Sequence, residues 1–440
     1  MMNLIEHYLN DYQRWQHELP GGKRAGIQQL RLQALHQFAE HGFPNRRSED
    51  WKYMKIDPFA KAPFSVALDE TSTQTKPKLR FSPDTYQILI INGTLDRESL
   101  NALPDSIEAY PVSEVLGADA SPIIDKIRSY PTTTLNTFAD LNTALMHEGL
   151  YLHVAPNTKI DKPIHIIHYH DTPKLASYLR HFIDLGEGSE ATFIEHYTGP
   201  EAVPYYCSTM SYYECADNSK LEHIKLINEG NEACHTSHLT LAPGKDSVAR
   251  SHVFTYGGRW VRGDTLCKMQ KRGGESHLYG LYLLNSNMNA DHHTAIHHLT
   301  EHTTSRQHYQ GVLSDHAVGV FNGNVYVEQD AQHTDAEQLN KNLLLSKNAT
   351  INTKPQLEIF ADDVKCAHGA TVGQLSEDAL FYCQSRGLSK TAARLLLITA
   401  FTKTTIDYIQ DKNLRESILM LIDQVIVEKN IAGVAKGEAS

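Results

Sequence analysis

A spacing near 29 residues runs through the middle of this chain and limits its fold more than any other feature. Ser189, Ser219, Ser247, Ser276 and Ser305 each follow a polar or glycine-containing turn, at intervals of 30, 28, 29 and 29. A β-rich stretch follows each serine: 191–197, 221–227, 249–256, 277–284 and 308–313. A fixed period holding two strands and two turns predicts a solenoid of stacked coils. No helical spacers separate the strands, which disfavours an α/β sandwich. Residues 147–371 therefore read as a parallel β-helix of seven or eight coils, a rod roughly 35–40 Å long at about 4.8 Å per coil. Its open ends need caps or a partner.

Helical segments flank the repeat. Leu4, Ile5, Tyr8, Leu9, Tyr12 and Trp15 recur at helical spacing before Pro20-Gly21-Gly22, and a second run from Ile27 to Phe38 ends at Gly42. Between 56 and 145 the pattern is weak, apart from a buried strand over 86–91 ahead of an Asn92-Gly93 turn. After the repeat, Ser376 caps a helix that Gly387 stops, and Ser389 opens another to about Ile409. Asn413 with Glu416 forms a capping box for a third, Leu414 to Glu428. The first of these three is expected to cover the rod's end, and the last two to cover it or bind a partner. The fold class is thus mainly β, with 1–146 a helical or mixed region, 147–371 the β-helix and 372–440 a helical domain.

Composition narrows the function. Of 440 residues, 41 are Lys or Arg and 52 Asp or Glu, a net charge of −11 that argues against nucleic acid as a partner. No stretch reaches the roughly 18 apolar residues of a spanning helix, and the first residues lack the pattern of an export signal. Six cysteines without a CxxC do not form a disulfide framework, so a cytoplasmic setting is expected.

Two nucleotide-binding look-alikes fail on context. Gly186-Glu187-Gly188-Ser189-Glu190-Ala191 runs into a strand where the dinucleotide fingerprint needs a helix. Gly387-Leu388-Ser389-Lys390-Thr391 has serine where a phosphate loop has glycine, so the chain is not expected to hydrolyse ATP itself.

Histidine is the compositional outlier, with 20 of 25 between His147 and His333. The group His292, His293, His297, His298, His302 and His308 could serve a metal-dependent β-helix enzyme, although HExxH is absent. Stacking of these side chains as polar ladders on successive coils is the plainer reading. A sharper candidate is Asp362 through Thr371. If 364–368 is extended, Cys366 and His368 share a face about 6.6 Å apart, where thiolate and neutral imidazole can ligate iron, zinc or a nascent iron–sulfur unit. The alternative is a buried cysteine beside a satisfied histidine. Two donors cannot complete a four-ligand site, so others would come from a second subunit.

Several segments resemble the SufB/SufD family of iron–sulfur cluster assembly scaffolds. They include Arg46 through Tyr53, Thr304 through Tyr309, Gly319 through Gly323, Asn340 through Leu345, Asn352 through Ile359, Ala361 through Leu375 and Leu380 through Gly387. The resemblance implies a right-handed parallel β-helix between N- and C-terminal helices. It also implies a non-catalytic scaffold in which the SufC ATPase docks on the C-terminal domain through Leu380, Phe381, Arg386, Leu395 and Phe401. SufB would pair side by side with the β-helix, or a homodimer would form when SufB is absent. His368, assisted by Cys366, would face the partner and hold a nascent cluster or iron transiently. No cysteine lies in 340–345, where SufB-type members carry an essential one, which puts the chain on the SufD side. Flavin binding, cluster type and the homodimer question are open from sequence.

Overall fold

A computed structural model describes residues 4–431 apart from 46, 62, 69–76, 78, 80, 82 and 118–135, so Arg46 of the N-terminal motif lies outside the described residues. The repeat forms two parallel sheets, each coil adding one strand to each. Eight coils run from Glu148–Val154 with Ile164–Tyr169 to Thr350–Ile359 with Lys365–Gly373. The first strand of each coil joins a nine-stranded sheet and the second a ten-stranded sheet.

The region that is weak in sequence continues these sheets. Tyr86–Ile91, the expected buried strand, pairs parallel with Ile164–Tyr169 and reverses through Asn92-Gly93 into Thr94–Leu95. Ile107–Pro111 adds an antiparallel strand beside Glu148–Val154. Both additions end the sheets in short strands of two and five residues, which blunts this edge of the rod.

The turn ladder carries the true period. Asn157, Gly188, Asn218, Asp246, Gly273, His302 and His333 all have positive φ, at equivalent places before successive strands of the ten-stranded sheet. Asn, Asp, His and Gly tolerate this region best. At the next position Ser189, Ser219 and Ser247 turn their hydroxyls back to the carbonyls of Gly186, Ala216 and Gly244, at 2.7, 2.7 and 3.0 Å. Gly274, Thr303 and Thr334 continue that position. Ser276 and Ser305 instead lie two residues further on, paired with each other on neighbouring strands. The serine count in sequence therefore slipped register after Ser247. Alternating strand residues look alike, and only hydrogen-bond pairing distinguishes them.

Apolar residues between the sheets, from Leu150 and Phe193 through Leu278 to Phe321, form the main core. The outer faces are apolar too, and helices cover them. N-terminal residues Tyr8, Trp51, Phe59 and Phe138 pack on Tyr178, Tyr206 and Trp260 of the nine-stranded sheet. The C-terminal helices Lys390–Ile406 and Lys412–Glu428 lie on the ten-stranded sheet, with Ile398, Ile418 and Ile422 against Ile224, Phe254 and Leu283. They cover the rod's side, not its end, because that side carries the exposed apolar rows. Ser376 and Ser389 cap the first two C-terminal helices as expected, through the Ala379 and Ala392 N–H groups at 3.2 and 3.1 Å. Asp411 rather than Asn413 caps the third, accepting from the Leu414 N–H at 2.7 Å with a charge that suits the positive helix end. Among the described residues no helix is long and apolar enough to cross a membrane.

Candidate functional site at the open edge

Among the described residues the last coil has no successor. Thr350–Ile359 and Lys365–Gly373 are the terminal strands of their sheets, with one edge of each unpaired by any described strand. Exposed Ile359, Phe360 and Val372 accompany them. A long unpaired parallel edge is a template for another chain unless something blunts it.

Cys366 and His368 lie on this edge strand two residues apart, hence on one face, paired with Ala336 and Gln338 of the preceding coil. His368 is exposed and Cys366 half-buried. The alternative of a buried cysteine beside a satisfied core histidine thus fails for His368. Cys366 packs near Ala336, Ala361 and Val364. Burial, with Asp335 adding to it, pushes its thiol above the ordinary range, while a backbone hydrogen bond from Ala336 pulls the other way. It stands protonated at neutral pH, and a metal ion would have to displace that proton.

Behind His368 lies a buried polar stack, in which Gln307 Nε2 and Gln338 Oε1 are left without partners. Gln338 donates to Gln307 on the next coil. Asn340 Nδ2 donates to the Tyr309 carbonyl at 3.0 Å, and Asn342 Nδ2 to Asn340 Oδ1 at 2.6 Å. Buried amides paired in this way hold the edge rigidly. The neighbouring Asp363 belongs to the turn, with its carboxylate 3.1 Å from His333 Nδ1.

The six histidines of 292–308 do not converge. His292 and His298 point into the rod, the latter bonded to Thr303 and Ser305 at 2.7 and 2.9 Å. His293 sits 3.0 Å from Asp291, on the side of the nine-stranded sheet that faces the N-terminal segment. His308 touches Tyr408 of the C-terminal region on the opposite side of the molecule. His302 lies in a turn, its ring 4.6 Å from that of His333. Alternation along the strands separates them, which removes the structural basis for an enzyme built on this cluster.

The docking residues inferred from resemblance divide in the same way. Phe381 is 73% exposed, and Arg386 is exposed with its guanidinium over the Tyr382 ring. Leu395 and Phe401 are partly buried against the sheet, and Leu380 is a core residue at 3% exposure. Leu380 is therefore covered within this chain, unlike its neighbour Phe381.

The charged N-terminal motif, by contrast, faces the sheet. Trp51 stacks on Trp260 at 6.0 Å, Arg262 lies over Trp51 at 4.6 Å, and the Arg262 guanidinium bonds Asp264 and Asp291 at 2.7 and 2.8 Å. Lys354 reaches Glu49 at 2.6 Å. A cavity of about 500 Å³ opens here, lined by residues that include Arg47, Asp291, His293 and Lys354. No sequence pattern marks it, since its walls come from segments some 300 residues apart.

Comparison with known proteins agrees with this architecture. The family profile described as SUF system FeS cluster assembly, SufBD core domain, matches residues 168–401, and SufBD protein N-terminal region matches residues 2–166. The iron–sulfur cluster assembly protein SufD of Escherichia coli is 31% identical over 94% of this chain and 96% of its own length. An iron–sulfur cluster assembly SufBD family protein of Synechocystis is 29% identical over 83% of this chain and 84% of its own. Protein ABCI7, chloroplastic, of Arabidopsis thaliana is 25% identical over 89% and 84%. The chain belongs to the SufBD family of iron–sulfur cluster assembly proteins.

Proposed function

We propose that this chain is a non-catalytic, SufD-type scaffold subunit whose last coil offers half of a donor set to nascent iron–sulfur cargo. The observation that carries the reading is the free terminal edge bearing exposed His368 beside Cys366. An imidazole and a thiol suit iron, but they leave two of about four coordination positions to another chain. Helices cover the sides of the rod, so a second β-solenoid of the SufB type pairs at the open edge, by strand addition rather than along the flank. The C-terminal helices, seated on the ten-stranded sheet, dock a SufC-type ATPase through the Phe381–Arg386 surface. A shift of those helices during ATP turnover then moves the sheet that ends in Lys365–Gly373, opening the edge to cargo.

His368→Ala tests this in a reconstituted three-subunit complex, with bound iron and acid-labile sulfide measured per complex. The expected result is a loss of both with assembly intact. Undiminished iron and sulfide in a correctly assembled complex removes His368 from the mechanism.

A further inference from the structure

A second set of donor atoms lies inside the rod, at the corner where the chain passes from the ten-stranded to the nine-stranded sheet. His170, Gly199 and Glu229 follow the strand ends Tyr169, Thr198 and Asn228, which pair in register, so they occupy one position on three successive coils. The middle coil has glycine there, and any side chain at 199 would meet the His170 backbone and come within 2.6 Å of the Tyr205 hydroxyl. Glycine at 199 thus lets the Tyr205 ring, stacked on His170 at 5.0 Å, reach into the corner between the two long side chains. Cys207, on the strand the chain enters after Gly199, faces them from the opposite wall, between Ser177 and His235 of its neighbouring strands. One donor atom from each of His170, Cys207 and Glu229 falls within 4.8 Å of the other two, and all three residues are buried.

Compensation inside this corner is incomplete. Glu229 is 1% exposed, and although the Tyr205 hydroxyl lies beside its carboxylate, neither oxygen has a partner in good hydrogen-bond geometry. His235 Nδ1 lies 2.9 Å from Glu229 Oε2 but not in hydrogen-bond geometry. His170 bonds Ser177 through Nε2 at 2.9 Å, leaving Nδ1 unpartnered. A buried carboxylate without a well-formed partner is costly to keep charged.

We infer that His170, Cys207 and Glu229 bind a divalent transition metal of the zinc(II) or iron(II) class, with His235 as the adjacent fourth donor. One carboxylate and one thiolate neutralise the ion's two charges inside the rod, and imidazole completes a donor set usual for such ions. Burial holds His170 neutral, down to about 3, which keeps its ring available as a ligand. Burial likewise raises the Cys207 thiol, so one proton leaves Cys207 for solvent when the metal binds. The site is structural, linking three coils, and is independent of the open-edge reading.

Cobalt(II) is the probe, added under reducing conditions to the full-length chain and followed by thiolate-to-cobalt absorption and by metal content after desalting. The wild-type chain is expected to retain about one ion with a thiolate band. Cys207→Ser should abolish the band, and Glu229→Gln or His170→Asn should weaken retention at least about tenfold. The Cys366→Ser, His368→Ala double variant should keep both signals, which separates this site from the terminal edge. Should Cys207→Ser fail to fold, the Glu229→Gln and His170→Asn arms decide. Folded wild-type chain that retains no cobalt, or a thiolate band that survives Cys207→Ser, overturns the assignment.

Discussion

At the scale of single residues, neighbours in sequence take opposite roles. Leu380 and Phe381 are adjacent on a helix, yet one is buried and the other 73% exposed. Successive helical side chains point about 100° apart, so the two face different surroundings. Leu380→Ala is expected to destabilise the chain by about 2–5 kcal/mol, measured by denaturant unfolding. Phe381→Ala should leave stability within about 0.5 kcal/mol while weakening capture of the ATPase subunit in a pull-down or titration. Equal stability losses for the two would mean that Phe381 is not a docking residue. Sequence marks both as apolar and cannot say which is covered. His368 shows the converse: its strand, its face and its shared side with Cys366 follow from alternation. Its exposure depends on the rod ending at that strand.

At the scale of elements, stacking register decides which side chains can be large. Gly280 pairs with Tyr309 and Tyr282 with Gly311, so each tyrosine ring lies over a glycine on the adjoining coil. A Cβ at Gly311 would meet the Tyr282 ring and Asn342 Oδ1 at once. Gly311→Ala should cost about 1–3 kcal/mol through overpacking, whereas the same change at Gly373, which has open space around it, should be nearly neutral. Comparative thermal melts of the two variants test the register, and equal effects would contradict it. The helices at either end were legible from apolar spacing and caps. Their destination was not. Amphipathic spacing says that a helix has a covered face, and the outer rows of the sheets decide where that face goes.

At the scale of the whole molecule, the buried histidines couple stability to pH. Burial lowers His147, His181, His196, His292 and His298 to about 4 and His170 to about 3. In the unfolded chain each titrates near about 6.5. Between those values the unfolded state binds protons that the folded state refuses, so stability is full above about 6.5 and falls as pH drops toward 4. Each histidine contributes a slope of about 1.4 kcal/mol per pH unit within that window. Asp140, raised to about 6 by burial, and Asp11 and Glu148, also raised by burial, act in the opposite sense, but they are three groups against six. Melting temperature should therefore fall steeply from pH 6.5 to 4, and a flat profile by calorimetry would show that these histidines titrate normally in the fold.

The repeat length, the two-strand coil, the flanking helices and the shared face of Cys366 and His368 are all properties of local pattern. Spacing and alternation carry them, and they can be read before any contact is known. Tertiary structure decided the rest: where the serine count slips after Ser247, which sheet each helix covers, that 86–111 extends the rod, and that the 292–308 histidines part company. It also brings His170, Cys207 and Glu229 together at a corner with no regular spacing between them. Such contacts arise between coils, through hydrogen-bond register, and a linear pattern has no term for it.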